Sequence, residues 1–426
     1  MEKIVSGFSK LTKDAKINWL VENYCKDSTK AIEIIQQYQN MDVDIQSIHD
    51  DFAENTISNY YLPFGIAPNF LINNRIYSIP MVTEESSVVA AASLVSKFWS
   101  TFGGFRASVI SQKKIGQVHF MSEQSFSELQ SYFLEIKDSL FESTQEITSN
   151  MRKRGGGILD IELRSKTADL PNYYQLYVSF DTKDSMGANF INSCLESIAK
   201  RFSAPGIEIV MSILSNYVPE CLVRAEVSCK VSDLIKGTSE TDPVLYAKKF
   251  RAAVDIANVD TSRAVTHNKG IMNGVDAVVI ATGNDFRAIE SCAHAFAAKS
   301  GSYKSLTHCD VTNDEFKFWI EIPLAIGTVG GLTNLHPLSN LSLEILGKPS
   351  AQELMEIIAV AGLAQNFAAL RALTTTGIQR GHMKMHLVNI LNQLGADQHK
   401  KKQAYTYFKD KLVTYKSVSD FLTIKQ

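Results

Sequence analysis

No apolar run in this 426-residue sequence approaches the roughly 18–20 residues that a membrane-spanning helix needs; the run that stands out, Val88–Val95, is far shorter. The opening residues, MEKIVSGFSKLTKDAK, lack the apolar core of a secretion signal. A cytoplasmic protein is therefore expected. An excess of charge of one sign is also lacking. Lys and Arg number 43 against 45 Asp and Glu, a net charge of −2, which supplies no bulk attraction for nucleic acid or an anionic membrane. Cysteine is sparse, six residues with no CxxC spacing, so a disulfide scaffold is not expected. The nine histidines form no HExxH set. His382 and His386, four apart, have no carboxylate or thiol at ligand spacing, and no metal site is assigned.

What is present is a globular composition, 45% hydrophobic and 21% charged, in a chain long enough for two or three domains. A helix is expected after Thr12, with Ile17, Leu20, Val21 and Tyr24 on one stripe. The stretch YYLPFGIAPNFLINNRIYSIPMVTEE reads as turns and short strands leading into a site, and Ser86–Trp99 as a buried helix that Ser86 or Ser87 could cap. Between about 108 and 218 the texture is that of one small α+β domain. Strands are expected at 107–110, 117–120, 158–163, 174–180 and 207–213, with helices around Leu129–Leu140 and Gly187–Phe202. Long helices are expected afterwards at Asp242–Val254, around Lys269–Ala281, and at Phe286–Ala298, Ala351–Leu373, Met383–Leu394 and Gln403–Tyr415. Strands at Tyr303–Thr307 and Phe316–Ile322 interrupt them.

Four stretches carry residues suited to chemistry. Thr83-Glu84-Glu85-Ser86-Ser87 places carboxylates ahead of an apolar helix. They suit either the helix dipole or a general acid raised by burial. Asp184–Asn189 sits where a strand turns into a helix, fit for a phosphate or for an ordinary cap. It is not a GxGxxG fingerprint, so no Rossmann domain is implied. Lys269 and Asp285 lie among amides and glycines in THNKGIMNG and ATGND, where a buried Lys would need a partner. His382 sits between glycines in GIQRGHM, as either a structural group or a mobile acid–base group. A further Gly-rich turn, Gly327–Thr333, reads equally as backbone approach to a ligand or as close packing.

Taken in order, the stretches match one family. ENTIS (Glu54–Ser58), EESSVVAAAS (Glu84–Ser93), RGGG (Arg154–Gly157), DSMGAN (Asp184–Asn189), ILSN (Ile213–Asn216), RAVTHNKGIMNG (Arg263–Gly274), ATGND (Ala281–Asp285), GTVGG (Gly327–Gly331), GLAQN (Gly362–Asn366) and GIQRGHM (Gly377–Met383) run in sequence from residue 54 to 383. The chain resembles 3-hydroxy-3-methylglutaryl-CoA reductases of the class II, bacterial type. Ser86 stands where many class II members have Pro, Ser185 where Ala is commoner, and Leu332 where a smaller residue is usual.

The resemblance implies a two-step, nicotinamide-dependent reduction of a thioester to mevalonate with release of CoA, and no metal. It assigns catalytic roles to Glu85, Lys269, Asp285 and His382. Ser87, Arg263 and Asn273 are assigned to the substrate's acyl end, with Asn216, Gln365 and Asn366 near that site. Asp184, Ser185, Met186, Gly187, Ala188 and Asn189 match the cofactor stretch. Hydride attack builds charge on oxygen that an ammonium such as Lys269 can stabilise. A histidine such as His382 can protonate the departing thiolate, and Glu85 can supply the aldehyde's proton. Asp285 is expected close to both Lys269 and Glu85.

NAD-preferring relatives present a carboxylate to the ribose. Here Thr148 occupies that region, followed by Arg152, Lys153 and Arg154, which favours NADPH with NADH as the alternative. The plainer reading of those cations is a basic helix end facing its own dipole.

The implied fold is α+β. A large domain (1–107 and 219–376) surrounds a central helix, a ferredoxin-like, non-Rossmann cofactor domain (108–218) is inserted in it, and a C-terminal helical flap (377–426) carries His382. A homodimer or higher homo-oligomer with interfacial sites is implied, with Glu54–Ser58 near the interface. The partners implied are small molecules rather than nucleic acid or membrane. Two alternatives remain: a non-catalytic CoA- or nucleotide-binding protein, and an acyl-transfer enzyme with a Cys nucleophile, for which only His308-Cys309 pairs the residue types.

Overall fold

The computed structural model describes residues 4–375, 387–409, 411 and 413–424. It divides into two compact units. The first comprises the chain up to Pro63 together with Leu335–Pro337. Its helices Lys13–Tyr24, Ser28–Gln37 and Val43–Asp50 each begin at a side-chain cap, from Thr12, Asp27 and Asp42. Lys13 reaches Asp50 at 2.8 Å and ties the first of these helices to the third. The sequence pattern anticipates only the first. Glu54–Ser58 belongs to this unit.

The second unit holds all the strands: β1 (Phe64–Ile72), β2 (Arg75–Val82), β3 (Arg106–Val109), β4 (Lys114–Met121), β5 (Gly157–Ser165), β6 (Tyr173–Asp181), β7 (Glu208–Leu214), β8 (Leu222–Lys230), β9 (Thr307–Thr312) and β10 (Glu315–Pro323). β1 and β2 form a hairpin through Asn73 and Asn74, both at positive φ (48° and 67°). That conformation matches the right-handed twist of the flanking strands. The hairpin ends at Val82 and delivers Thr83-Glu84-Glu85 to the start of helix Val88–Ser100.

Two antiparallel four-stranded sheets follow, ordered β3-β8-β10-β9 and β5-β6-β4-β7. The second sheet, with helices Phe126–Glu142, Gln145–Lys153 and Ala188–Arg201, encloses its own core around Phe120, Leu140, Phe180 and Leu195. β8 has no counterpart in the sequence reading, although Val223, Ala225 and Val227 alternate inward with Arg224 and Glu226. β9 starts at Thr307, where the expected strand ends.

The larger core surrounds the 24-residue helix Ala351–Thr374. By length and composition it is the one described helix able to cross a membrane, yet 67% of its apolar window is buried inside the protein. Gln365 and Asn366 interrupt its apolar run in the sequence. Phe367 sits among the rings of Trp99 and Phe250, at 5.0 and 5.3 Å between centroids. Two glycines bring this helix against helix Thr261–Ala281: a Cβ on Gly274 would lie 2.4 Å from the Ala361 carbonyl oxygen, and one on Gly362 2.8 Å from Val275. A third, smaller core gathers Leu387, Leu391, Ala404, Phe408 and Phe421.

Candidate active site

Helix Thr261–Ala281 carries most of the site. Asp260 caps it, accepting from the Ser262 and Arg263 backbone N–H groups. Val265, Lys269, Asn273, Asp276 and Ile280 recur at helical spacing and line one cavity of about 400 Å³. The opposite wall is Val82–Glu85 at the end of β2, and a third side is Glu290 and His294 of helix Phe286–Ala297. Lys269 Nζ donates to Glu85 Oε2 at 2.5 Å. The pair is open to solvent, with side-chain exposures of 60% for Lys269 and 39% for Glu85. Glu85 thus pairs across the cavity, and no acidic residue lies in the first turn of helix Val88–Ser100.

Ser87 occupies the N-cap position of that helix but with φ 77° and no side-chain capping bond. The expectation that its hydroxyl caps the helix is not met, because left-handed backbone there leaves the hydroxyl unengaged with the first turn. Such a conformation costs a serine roughly 1–3 kcal/mol and clusters at functional sites.

Asp285 engages the first turn of the helix that follows it. Its carboxylate caps helix Phe286–Ala297, accepting from the Arg287 and Ala288 backbone N–H groups, and it receives Arg287 Nε and Nη2 at 3.0 Å each. Burial alone would raise this carboxyl. The Arg287 side chain and the cap N–H groups outweigh it and hold the pKa below the ordinary value. Among the described residues Lys269 pairs with Glu85 and Asp285 with Arg287.

Asp276 is a site residue that the sequence reading missed. Burial, the Glu290 carboxyl beside it and Glu84 push its pKa up to about 8. No motif marks it; its setting exists only once β2 and helix Phe286–Ala297 meet helix Thr261–Ala281.

The amides of GLAQN face inward. Asn366 is buried in a network in which its Oδ1 accepts from Thr307 Oγ1 and its Nδ2 donates to the His267 carbonyl. His267, bonded to Thr307 and Ser305, is driven by burial and Arg263 to a pKa of about 3 and stays neutral. Gln365 is also buried, its Oε1 without a partner among the described residues. Arg263 lies half-buried in the helix's first turn. GIQRGHM, and with it His382, lies outside the described residues.

The other stretches converge around the second sheet. Gly156 abuts the Asp181 carbonyl and Lys183, and Gly187 abuts Thr182; Cβ atoms there would approach within 2.6 and 2.5 Å. RGGG and DSMG therefore flank the end of β6. Helix Ala188–Arg201 starts at Gly187 (φ 90°) with no side-chain cap, which leaves its first N–H groups able to meet an anion. Arg152, Lys153 and Arg154 are exposed nearby in sequence. Thr148, in contrast, is fully buried and donates to the Thr144 carbonyl. Asn216 borders a narrow cavity with Met186 and Ala188. Gly327 is a close approach of backbone to backbone: a Cβ there would lie 2.4 Å from Met186 N.

Five of the six thiols do not suit nucleophilic chemistry. Burial pushes those of Cys194, Cys229 and Cys309 up to about 12, and those of Cys221 and Cys292 up to about 11. His308 stacks on Trp319.

Residues 2–387 match the family model for hydroxymethylglutaryl-coenzyme A reductase. The chain is 39% identical over 398 residues to the 3-hydroxy-3-methylglutaryl-coenzyme A reductase of Archaeoglobus fulgidus, covering 93% of this chain and 88% of that protein. Its fold is similar to the class II 3-hydroxy-3-methylglutaryl-CoA reductase from Streptococcus pneumoniae bound to NADPH in open conformations (TM-score 0.73, 36% identity, 87% of this chain and 100% of that one). A second structure of the Streptococcus pneumoniae reductase gives a TM-score of 0.75 at 35% identity, covering 99% and 100%. With the family match spanning nearly the whole length, the chain belongs to the hydroxymethylglutaryl-coenzyme A reductase family.

Proposed function

We propose that this chain reduces 3-hydroxy-3-methylglutaryl-CoA to mevalonate and CoA in two hydride transfers, with NADPH as the reductant. The observation that carries the reading is the Lys269–Glu85 pair on a cavity shared with Asn273. NADPH supplies hydride when bound. An ammonium at Lys269 stabilises the negative charge that develops on the thioester oxygen. Glu85, in contact with it, is placed to pass a proton to the aldehyde oxygen in the second step. His382 is assigned the thiolate's proton from the sequence, and Asp285 the fourth catalytic role. Ser87, Arg263 and Asn273 serve the acyl end, with Asn216, Gln365 and Asn366 near it, and Asn366 also ties helix Thr261–Ala281 through the His267 carbonyl.

The cofactor fits the turn 184–187. Gly187 lets the turn pack closely on Thr182, the helix start beyond is uncapped, and the Arg152–Arg154 cations suit a 2′-phosphate. Buried Thr148 offers the ribose nothing, so preference rests on the cations. The strand order β5-β6-β4-β7 supports reading 108–218 as an inserted ferredoxin-like cofactor domain. The remaining division is into a large domain (1–107, 219–376) and a flap (377–426). A cytoplasmic homodimer with interfacial sites, Glu54–Ser58 near them, completes the reading. Sedimentation of the purified protein, together with kcat/KM for NADPH against NADH, tests assembly and cofactor choice. A monomer with full activity, or an NADH preference, rejects the respective part.

A further inference from the structure

Lys114 begins β4 and is 4% exposed, yet forms no ion pair among the described residues. Its ammonium donates to Thr182 Oγ1 at 2.7 Å and to the Ser185 carbonyl at 2.8 Å. Burial lowers its pKa, against the pull of Cys221, Asp181 and Asp184. A buried cation held only by neutral acceptors is costly, and nothing in the reaction described above uses it.

Its two acceptors are the pivots of the turn before helix Ala188–Arg201. Thr182 Oγ1 also donates to the Ser185 carbonyl at 2.6 Å, and Ser185 Oγ returns a bond to the Thr182 carbonyl. Elsewhere the turn is held by backbone donors: Thr328 N–H to the Asp184 carbonyl and Ala351 N–H to the Asp184 carboxylate, both at 2.8 Å. Gly327, which touches Met186, donates in turn to Asn284 Oδ1 at 2.8 Å, next to Asp285. Lys114 thus holds the turn through a charged side chain from the neighbouring strand β4, and it borders the narrow cavity with Met186 and Ala188.

We propose that Lys114 is a positioning residue for the nicotinamide cofactor: it fixes the path of residues 182–187 from below and so sets cofactor affinity without touching the substrate. The inference rests on reading 184–189 as the cofactor stretch. Lys114→Met removes the ammonium and two of the hydrogen bonds that fix the turn, leaving Thr182 Oγ1 and the Ser185 carbonyl only the bond between them. It is expected to raise both the NADPH Kd and the NADPH KM by about tenfold or more, with the KM for 3-hydroxy-3-methylglutaryl-CoA unchanged. An unchanged NADPH Kd, or a parallel rise in both KM values, overturns the proposal, since a merely structural residue would not separate them. Should Lys114→Met fail to fold, Thr182→Val removes the shared hydroxyl and is read by the same split. Gly187→Ala separates this inference from its premise. A weakened NADPH affinity in Gly187→Ala but not in Lys114→Met rejects Lys114 alone; no change in either rejects the cofactor stretch as well.

Discussion

Lys269 and Glu85, 184 residues apart in the chain, meet at 2.5 Å across the cavity. Both side chains remain substantially exposed, and exposed pairs of this kind contribute little to stability. The contact is therefore better explained by what the cavity does than by what holds the fold together.

Stability and activity should consequently separate at this pair. Lys269→Ala is expected to change unfolding free energy by less than about 1 kcal/mol. Denaturant titration of the variant beside the wild type measures it, and a multi-kcal/mol loss would make the pair a structural element instead.

Asp276 should set a pH dependence of stability. Its native pKa, about 8, lies above the ordinary value of 3.8. Between those two values the unfolded chain has released a proton that the native state keeps, so stability falls as pH rises through that window. Below it both states are protonated and the effect vanishes. Asp276→Asn removes the titration, so melting temperatures across the window should decline less than in the wild type. Parallel curves for the two proteins would contradict the assignment.

Gly274 should tolerate no side chain. The Cβ of Gly274→Ala would meet the Ala361 carbonyl oxygen at 2.4 Å, a backbone atom that cannot swing away. Overpacking of this kind costs about 1–3 kcal/mol. Urea unfolding is the check, and a variant as stable as the parent would show that the two helices can part freely.

Cofactor choice should depend on the exposed cations. Arg152→Gln with Arg154→Gln is expected to lower kcat/KM for NADPH by about tenfold, from losing charge-assisted contacts to the 2′-phosphate, and to leave NADH nearly unaffected. Equal losses with both cofactors would favour the plainer role of these residues as a basic helix end.

The division between what was legible in the sequence and what was not follows physical lines. Motif residues that act through local backbone were readable: the strand-to-helix turn at Asp184–Asn189, the turns and short strands around Asn73-Asn74, and the carboxylates preceding helix Val88–Ser100. β8 carries a clear alternation, but its inward residues Val223, Ala225 and Val227 are small, which weakens the signal. Asp285's engagement with Arg287 is local and was in principle visible, an N-cap aspartate with an arginine two residues on. Asp276 and Lys114 were not, since each owes its character to elements that meet only in the fold.

The central claim is that the Lys269–Glu85 cavity performs the reduction. The most direct test is oxidation of NADPH by the purified protein, dependent on 3-hydroxy-3-methylglutaryl-CoA, with wild type, Lys269→Ala and Glu85→Gln compared at equal folded concentration. Mevalonate production by the wild type and a loss of about 100-fold or more in kcat for each variant is the expected result; undiminished turnover in Lys269→Ala would contradict it.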